Sequence, residues 1–465
     1  MTTFESISRP SDEKEWLTTL APPLAPHLAP PAVSPTDSPT VSPARPEFDF
    51  DVAIVGLGYV GLPTALAYHA AHSRVLALDV SSRRIDVIRA QAADLLDSDR
   101  LRLAEALDRP DFVLTSDPEQ LRRAAAVIVC VPTPIDGHLV PDLSILRAAC
   151  ATILSTVTPG QTLMLTSTTY VGCTDDLLVA PLTEQGLVVG TDVFVAFSAE
   201  RIDPGNAAFG HDEVPRVVGG ATPQCEEEAT RLLLRYVTTV HRVRSLAAAE
   251  MTKLLENTFR AVNIALANEF ADICSTLDID VADVIDAAST KPYGFMPFLP
   301  GPGVGGHCIP CDPHYLLWQL KRSRVSAPMI TQAMTEISAR PHRVVDRVQT
   351  VLSERGRGMT GARVLVVGIA YKADVEDLRE SPALEILDEL MRRGARAGYL
   401  DPHFDSVALA GGGSLAGIAD PAAFDADLVL LHTRHRDTDL SWIDEDQIVL
   451  DTTYRGVDVA HRVNL

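Results

Sequence analysis

Short apolar runs alternate with segments of helical period along most of the chain, starting near residue 50. Residues 50–55 form an apolar run that breaks at Gly56 and leads into a helical pattern over residues 62–71. A second run, residues 75–78, ends at Asp79, and further runs end at Cys130 and Val131, at Leu165 and at Phe197, with helical stretches between them. That rhythm predicts successive strand–helix–strand units, hence a parallel sheet covered by helices on both faces. Residues 245–277 hold the longest helical pattern without Pro or Gly, with Leu246, Leu254, Leu255, Val262 and Leu266 spaced for a buried stripe. They predict a central helix that joins domains and subunits. A loop dense in Pro and Gly, residues 291–313, and further helical segments follow. The alternation restarts at Arg363: residues 364–367 read as a strand, 382–393 as a helix closed by Gly394, and 428–431 and 448–450 as strands.

The first 47 residues break this picture. They are rich in Pro, Ala, Ser and Thr, hold about a third of the chain's prolines and show no sustained hydrophobic period. Such a segment buries too little apolar surface to offset the entropy of ordering, so a disordered tail is expected. At 465 residues the remainder is long enough for two or three domains. A net charge of -22 disfavours nucleic acid and anionic membranes as partners. No apolar run is long enough to cross a bilayer and no signal core opens the chain, which predicts a cytoplasmic location. Seven cysteines scattered singly through apolar segments suit buried thiols in a reducing compartment.

Candidate chemistry begins at Gly56, Gly58 and Gly61, in the run Gly-Leu-Gly-Tyr-Val-Gly that follows a strand and opens a helix. Glycines there permit a tight turn and a close approach of a pyrophosphate to the helix N-terminus; Tyr59 and Val60 lie in the same turn. Asp79, about 20 residues on, is placed to accept from ribose hydroxyls and to repel a 2′-phosphate, which predicts NAD rather than NADP. The second repeat has Gly368 alone and runs into a charged loop with Lys372 and Arg379, which suits a diphosphate other than that of NAD; a solvated charged loop is the alternative. Lys253 and Asn257 stand four apart and share a helix face, where they could grip one oxyanion. Cys308 follows a glycine-rich loop whose exposed amides can lower a thiol pKa. With Cys311 it forms a CxxC, so a nucleophile, a redox dithiol and half a zinc site all stay open from spacing alone, although no second pair with ligand spacing exists and no metal is expected.

Eight stretches in order resemble the UDP-glucose/GDP-mannose dehydrogenases, in their UDP-N-acetylhexosamine 6-dehydrogenase branch. They are residues 55–63 (VGLGYVGLP), 131–134 (VPTP), 141–144 (PDLS), 167–170 (STTY), 200–206 (ERIDPGN), 253–259, 301–313 and 371–382 (YKADVEDLRESP). The resemblance implies that Cys308 is the nucleophile, that Lys253 and Asn257 stabilise an oxyanion, and that Asp312 lies near the catalytic water. It also implies that Glu200 serves thioester hydrolysis and that Thr133 touches both cofactor and water. Arg84, Thr168 and Arg379 are implied on the cofactor side; Arg201, Gly303, Phe295, Phe298 and Lys372 on the substrate side. His307 before the cysteine resembles the N-acetylhexosamine branch. The chain departs from the family pattern at Cys311, Ala199 and Val171, in residues 336–341, and in residues 451–455, a region near the substrate's nucleotide.

The expected architecture is therefore α/β: two Rossmann-like parallel-sheet domains joined by a central helical domain with a long helix. The divisions are a tail (1–48), an NAD-binding domain (49–240), a central helical dimerisation domain with the cysteine loop (241–345) and a UDP-sugar-binding domain (346–465). The resemblance implies a homodimer or higher oligomer and four-electron oxidation of a UDP-N-acetylhexosamine at C6. A UDP-glucose dehydrogenase, a two-electron enzyme of the 6-phosphogluconate type and a nucleotide-sensing or thiol-redox protein are the rivals.

Overall fold

In a computed structural model, residues 47–201, 212–306, 308–409, 411–454, 459 and 461–465 are described. Almost all of the expected tail, His307, most of the ERIDPGN stretch and Arg455 lie outside them.

Fully buried four-residue strands, made of Val, Ile, Leu and Ala apart from Thr162 and Met164, build the centre of the first sheet: β1 (Val52–Val55), β2 (Val75–Leu78), β4 (Ala126–Val129) and β5 (Thr162–Leu165). Runs that are apolar on both faces fit only a sheet covered on both sides, and helix α1 (Gly61–Ala70) is one of those covers. With β3 (Phe112–Thr115) and β6 (Phe194–Phe197) the strand order is β3-β2-β1-β4-β5-β6, all parallel. Two strands absent from the sequence reading extend it: β7 (Arg216–Gly220), antiparallel to β6, and β8 (Val240–Val243), parallel to β7. The expected joint at residue 240 falls at the first residue of β8.

The long helix α2 (Leu246–Thr276) matches the sequence pattern to within a residue at each end. Ser245 caps it, its side-chain oxygen accepting from Ala248 N at 3.1 Å. Its buried side differs from the expected stripe. Leu246 and Leu254 are buried, but Leu255 is 64% and Leu266 48% exposed, whereas Ala249, Ala261, Ala265 and Ala271 face inward. Adjacent residues such as 254 and 255 point about 100° apart, and small side chains let the neighbouring helix approach closely. That neighbour is α4 (Pro328–Glu354), which follows α3 (Asp312–Ser323) and continues through the expected joint at residue 345.

The second sheet has strands β9 (Arg363–Val367), β10 (Arg396–Leu400), β13 (Leu428–Leu431), β14 (Ile448–Asp451) and β15 (His461–Asn464), in parallel order β10-β9-β13-β14-β15. A small hairpin, β11 (Ser406–Ala408) with β12 (Ser414–Ala416), lies apart. Helix α5 (Pro382–Arg392), capped by Ser381, opens directly after the YKADVEDLRES loop. Its Ala383, Ile386, Leu387 and Leu390 join the core that β9 and β13 share with α4. The expected α/β class with two parallel nucleotide-binding folds around a helical centre is borne out. Among the described residues no helix is long and apolar enough to cross a membrane.

Candidate active site between two nucleotide-binding folds

The glycine turn at β1 divides its labour by steric need. A Cβ on Gly56, whose φ is +90°, would meet Cys130 O at 2.8 Å, and one on Gly61 would meet Gly56 O at 1.8 Å. Both positions are closed to any side chain. Gly58 has nothing within 4 Å of its virtual Cβ, so its lack of a side chain serves space outside the protein, where a dinucleotide phosphate would approach. Asp79 accepts from Leu57 N and Ser81 N, both at 2.9 Å, and Arg84 Nε donates to Leu57 O at 2.8 Å. Val60 precedes the first helical residue. The glycine turn lies beside the end of β4, where the strand order reverses, the usual ligand position of an open parallel sheet, and Asp79 and Arg84 flank it from the β2 side.

Further along the same edge, Thr133 is buried and its hydroxyl donates to Thr168 O at 2.7 Å. Tyr315, on α3, donates to Thr133 O at 3.1 Å, and Gln319 exchanges two hydrogen bonds with the Val171 backbone. Helix α3 is thereby bound to the first fold. Asp312 opens this helix, its N–H donating to Cys308 O at 2.8 Å. Burial pushes the Asp312 carboxyl up to about 6, against the opposing pull of Lys253 and Asn257. Asn257 Nδ2 donates directly to Asp312 Oδ2, and Lys253 Nζ donates to Glu200 O at 2.7 Å. Lys253 and Asn257 share the buried face of α2, as their spacing predicts. The Glu200 carboxylate is paired with Arg216, and Arg201 with Glu256.

Of the seven cysteines, Cys308 alone is exposed. Cys311 is buried, and burial pushes its thiol up to about 12. The two members of the CxxC thus differ: one is accessible, the other a poor thiolate. Among the described residues no cluster of three or more His, Cys, Asp or Glu is placed to hold a metal ion.

The glycines before Cys308 are explained by the other fold. A Cβ on Gly303 would meet Pro382 Cβ at 2.7 Å; on Gly305, Tyr371 Cβ at 2.6 Å; on Gly306, the Tyr371 ring at 2.9 Å. Gly306 N donates to Arg379 O at 2.9 Å. The cysteine loop is pressed onto the loop that opens α5. Arg379 bridges back to the first fold, its guanidinium held by Asp377 at 2.6 Å and lying 4.1 Å from the Tyr59 ring centroid. Lys372 is half-buried in the same loop, Phe295 is exposed, and Phe298 packs edge-on against Phe259 with centroids 5.9 Å apart.

Three family models match the chain: the NAD binding domain of the UDP-glucose/GDP-mannose dehydrogenase family over residues 50–237, its central domain over 247–337 and its UDP binding domain over 365–455. The NDP-N-acetyl-D-galactosaminuronic acid dehydrogenase of Ralstonia solanacearum is 34% identical over 435 residues, covering 90% of this chain and 98% of the relative. The chain belongs to the UDP-glucose/GDP-mannose dehydrogenase family. It is therefore an NAD-dependent nucleotide-sugar dehydrogenase with a UDP-binding C-terminal fold. A UDP-N-acetyl-D-glucosamine 6-dehydrogenase of Pseudomonas aeruginosa is 35% identical over 356 residues, 76% of this chain and 83% of that one. The UDP-D-ManNAc dehydrogenase structure from Pyrococcus horikoshii superposes with a TM-score of 0.81 at 28% identity, covering 89% of this chain and 98% of that one.

The residues of this family member that sequence reasoning missed are partners rather than reactants: Arg216 on Glu200, Tyr315 on Thr133, Tyr371 beneath the cysteine loop, and Asp401. Only Asp401 carries a local signal, an acid directly after a strand of the second fold, as Asp79 is in the first.

Proposed function

We propose that this chain oxidises the C6 alcohol of a UDP-N-acetylhexosamine to the carboxylate in a four-electron reaction, with Cys308 as covalent nucleophile. The single observation that carries this reading is the one exposed cysteine, set at the opening of α3, four residues from a buried Asp312 that is bonded to Asn257 and feels the charge of the buried Lys253. NAD, when bound against Gly58 and Asp79, supplies a hydride acceptor twice. Between those transfers the Cys308 thiolate adds to the C6 aldehyde, giving a thiohemiacetal whose oxidation leaves a thioester. The Lys253 ammonium and the Asn257 amide stabilise the C6 oxyanion, and Asp312 with Thr133 orients water. Water, with Glu200 as base, then releases the uronate. Lys372, Arg201, Gly303, Phe295 and Phe298 hold the nucleotide sugar, and Arg84, Thr168 and Arg379 line the cofactor side. Relatives named for N-acetylated hexosamines, together with the GGHCIP stretch, favour an acetamido sugar over glucose.

A homodimer or higher homo-oligomer belongs to the same reading. Met251, Leu255, Phe259, Leu266, Phe270 and Ile273 follow one another at spacings of three, four or seven residues on the outward side of α2, all at least 40% exposed. A second copy of this helix supplies the matching apolar stripe.

The test is a panel of UDP- and GDP-sugars scored for NADH formed per sugar consumed. Two NADH from an acetamido hexose, abolished in Cys308→Ser with NAD binding retained, is the expected result. One NADH per sugar, or full activity in Cys308→Ser, overturns the reading.

A further inference from the structure

Glu200 stands three residues past the end of β6, only 8% exposed, with a cation on each side. Lys253 Nζ from α2 donates to its main-chain oxygen at 2.7 Å. Arg216, the first residue of β7 and itself 2% exposed, places a guanidinium nitrogen directly on its side-chain carboxylate. The Arg201 N–H also donates to that carboxylate, at 2.8 Å. The guanidinium carbon of Arg216 lies 6.0 Å from the Tyr236 ring centroid, and Tyr236 packs 4.5 Å from Tyr68. Among the described residues the β6–β7 junction is the one antiparallel pairing of the large sheet, so this reversal is what brings Arg216 back alongside Glu200.

We propose that Arg216 is a positioning residue for the hydrolytic half of the reaction: it keeps Glu200 ionised and aimed, so that Glu200 can take a proton from the attacking water. The inference rests on the proposed roles of Cys308 and Glu200. In that step the water oxygen bonds to the C6 acyl carbon, the C–S bond breaks, the thiolate stays on Cys308 and the water proton passes to Glu200. A carboxylic acid in so dry a place would hold its proton, and a protonated Glu200 could accept none. A guanidinium in contact reverses that balance, and its planar fork also restricts the carboxylate plane. The other groups facing Glu200 do not compete in the working range. Burial, with Glu200 adding to it, pushes the Cys130 thiol up to about 12, and burial raises the Tyr236 phenol well above its ordinary value. Arg216 itself keeps its proton: burial works against the charge, but Glu200 outweighs it.

The experiment follows NADH bursts and intact mass in the full-length enzyme, with NAD and the sugar that the panel identifies. Arg216→Gln is expected to give a burst of about two NADH per site at close to the native rate. A steady state slowed about tenfold or more should follow, with a sugar-derived adduct accumulating on Cys308. Its acid limb should move up by about a pH unit or more, so that turnover recovers in alkali. Glu200→Gln is the control: if it traps no adduct on Cys308, the underlying mechanism fails. If Glu200→Gln traps the adduct while Arg216→Gln does not, or leaves the acid limb unmoved, the role of Arg216 is overturned. Should Arg216→Gln not fold, Arg216→Lys keeps the charge and loses only the planar fork; a slowed steady state with adduct on Cys308 supports the proposal, and native hydrolysis with no adduct defeats it.

Discussion

The two nucleotide-binding folds repeat the same turn and finish it differently. In each, a strand ends in a glycine of positive φ, Gly56 at +90° and Gly368 at +76°, whose missing Cβ clears the backbone at the end of the next strand in the sheet. In each, the adjacent strand ends in an acid that accepts from the residue after that glycine: Asp79 from Leu57 N at 2.9 Å, Asp401 from Ile369 N at 2.7 Å. Asp79 is partly exposed. Asp401 is buried and bonded to His435 Nε2 at 3.1 Å, while His435 Nδ1 accepts from Asp374 N at 2.9 Å. Because Nδ1 is the acceptor, the ring proton sits on Nε2 and points at Asp401. That carboxylate is held below its ordinary range: burial opposes ionisation, but His435 and the N–H groups of Ile369 and His403 outweigh it. The first fold leaves its acid partly exposed; the second spends the equivalent acid on its own histidine. The same strand-end geometry thus leaves one carboxylate partly exposed and ties the other into a buried network.

The comparison breaks most visibly at the buried glycines. Gly61→Ala would place a Cβ 1.8 Å from Gly56 O, and Gly368→Ala one 1.7 Å from Thr433 O. Each is expected to destabilise its fold by about 3 kcal/mol or more, read by urea melts; tolerance of either would mean the turn is more pliable than its geometry. A second contrast lies in acid. Burial pushes buried His432, at the end of β13, from 6.5 down to about 4, and raises Asp312 from 3.8 to about 6. A histidine depressed in the folded state contributes stability above 6.5 that is lost as pH falls toward 4. A carboxyl raised in the folded state penalises the fold above about 6, and the penalty fades toward 3.8. The two effects oppose each other at about 3 kcal/mol apiece. Relative to the native chain, His432→Leu should therefore gain stability, and Asp312→Asn lose it, as pH falls from 6.5 to 4 in denaturant melts. Parallel pH curves for all three proteins would contradict this.

Smaller effects sharpen the division of roles. Asp79→Asn is expected to raise the KM for NAD about tenfold to a hundredfold, the loss of a charged hydrogen-bond acceptor, and to relax discrimination against NADP. Asp401→Asn should leave that KM unchanged and lower stability by about 1 to 3 kcal/mol, since it disrupts a buried network. An altered NAD response in Asp401→Asn would erase the distinction between the folds. The mildest prediction concerns Gly58→Ala: an unchanged melt, an unchanged KM for the UDP-sugar, and a KM for NAD raised about tenfold, because the added methyl meets only the ligand's space.

Much of this was legible in the chain. The strand ending at Gly56, the acid at Asp79, the helix over residues 246–276 and the thiol in a glycine-rich loop all declare themselves within a few dozen residues, whereas the exposure of that thiol does not. Strands β7 and β8 did not, because β7 runs RVVGG with two glycines and β8 is VHRV with an exposed polar centre, so neither carries the apolar run of a central strand. Outward Leu255 and Leu266 were read as core because periodicity locates an apolar stripe but not the surface it meets.

Sequence alone determined the class of fold and the dinucleotide turn, since these follow from steric rules and periods that act over short separations. For Cys308, spacing left nucleophile, redox dithiol and half a zinc site open, and only the family resemblance singled it out as the candidate nucleophile. Only tertiary structure decided that the glycines before Cys308 make room for Tyr371 and Pro382, that Arg216 meets Glu200, and that His435 occupies Asp401. Those contacts join residues far apart along the chain. What brings them together is the packing of whole sheets and helices, and no local propensity encodes that.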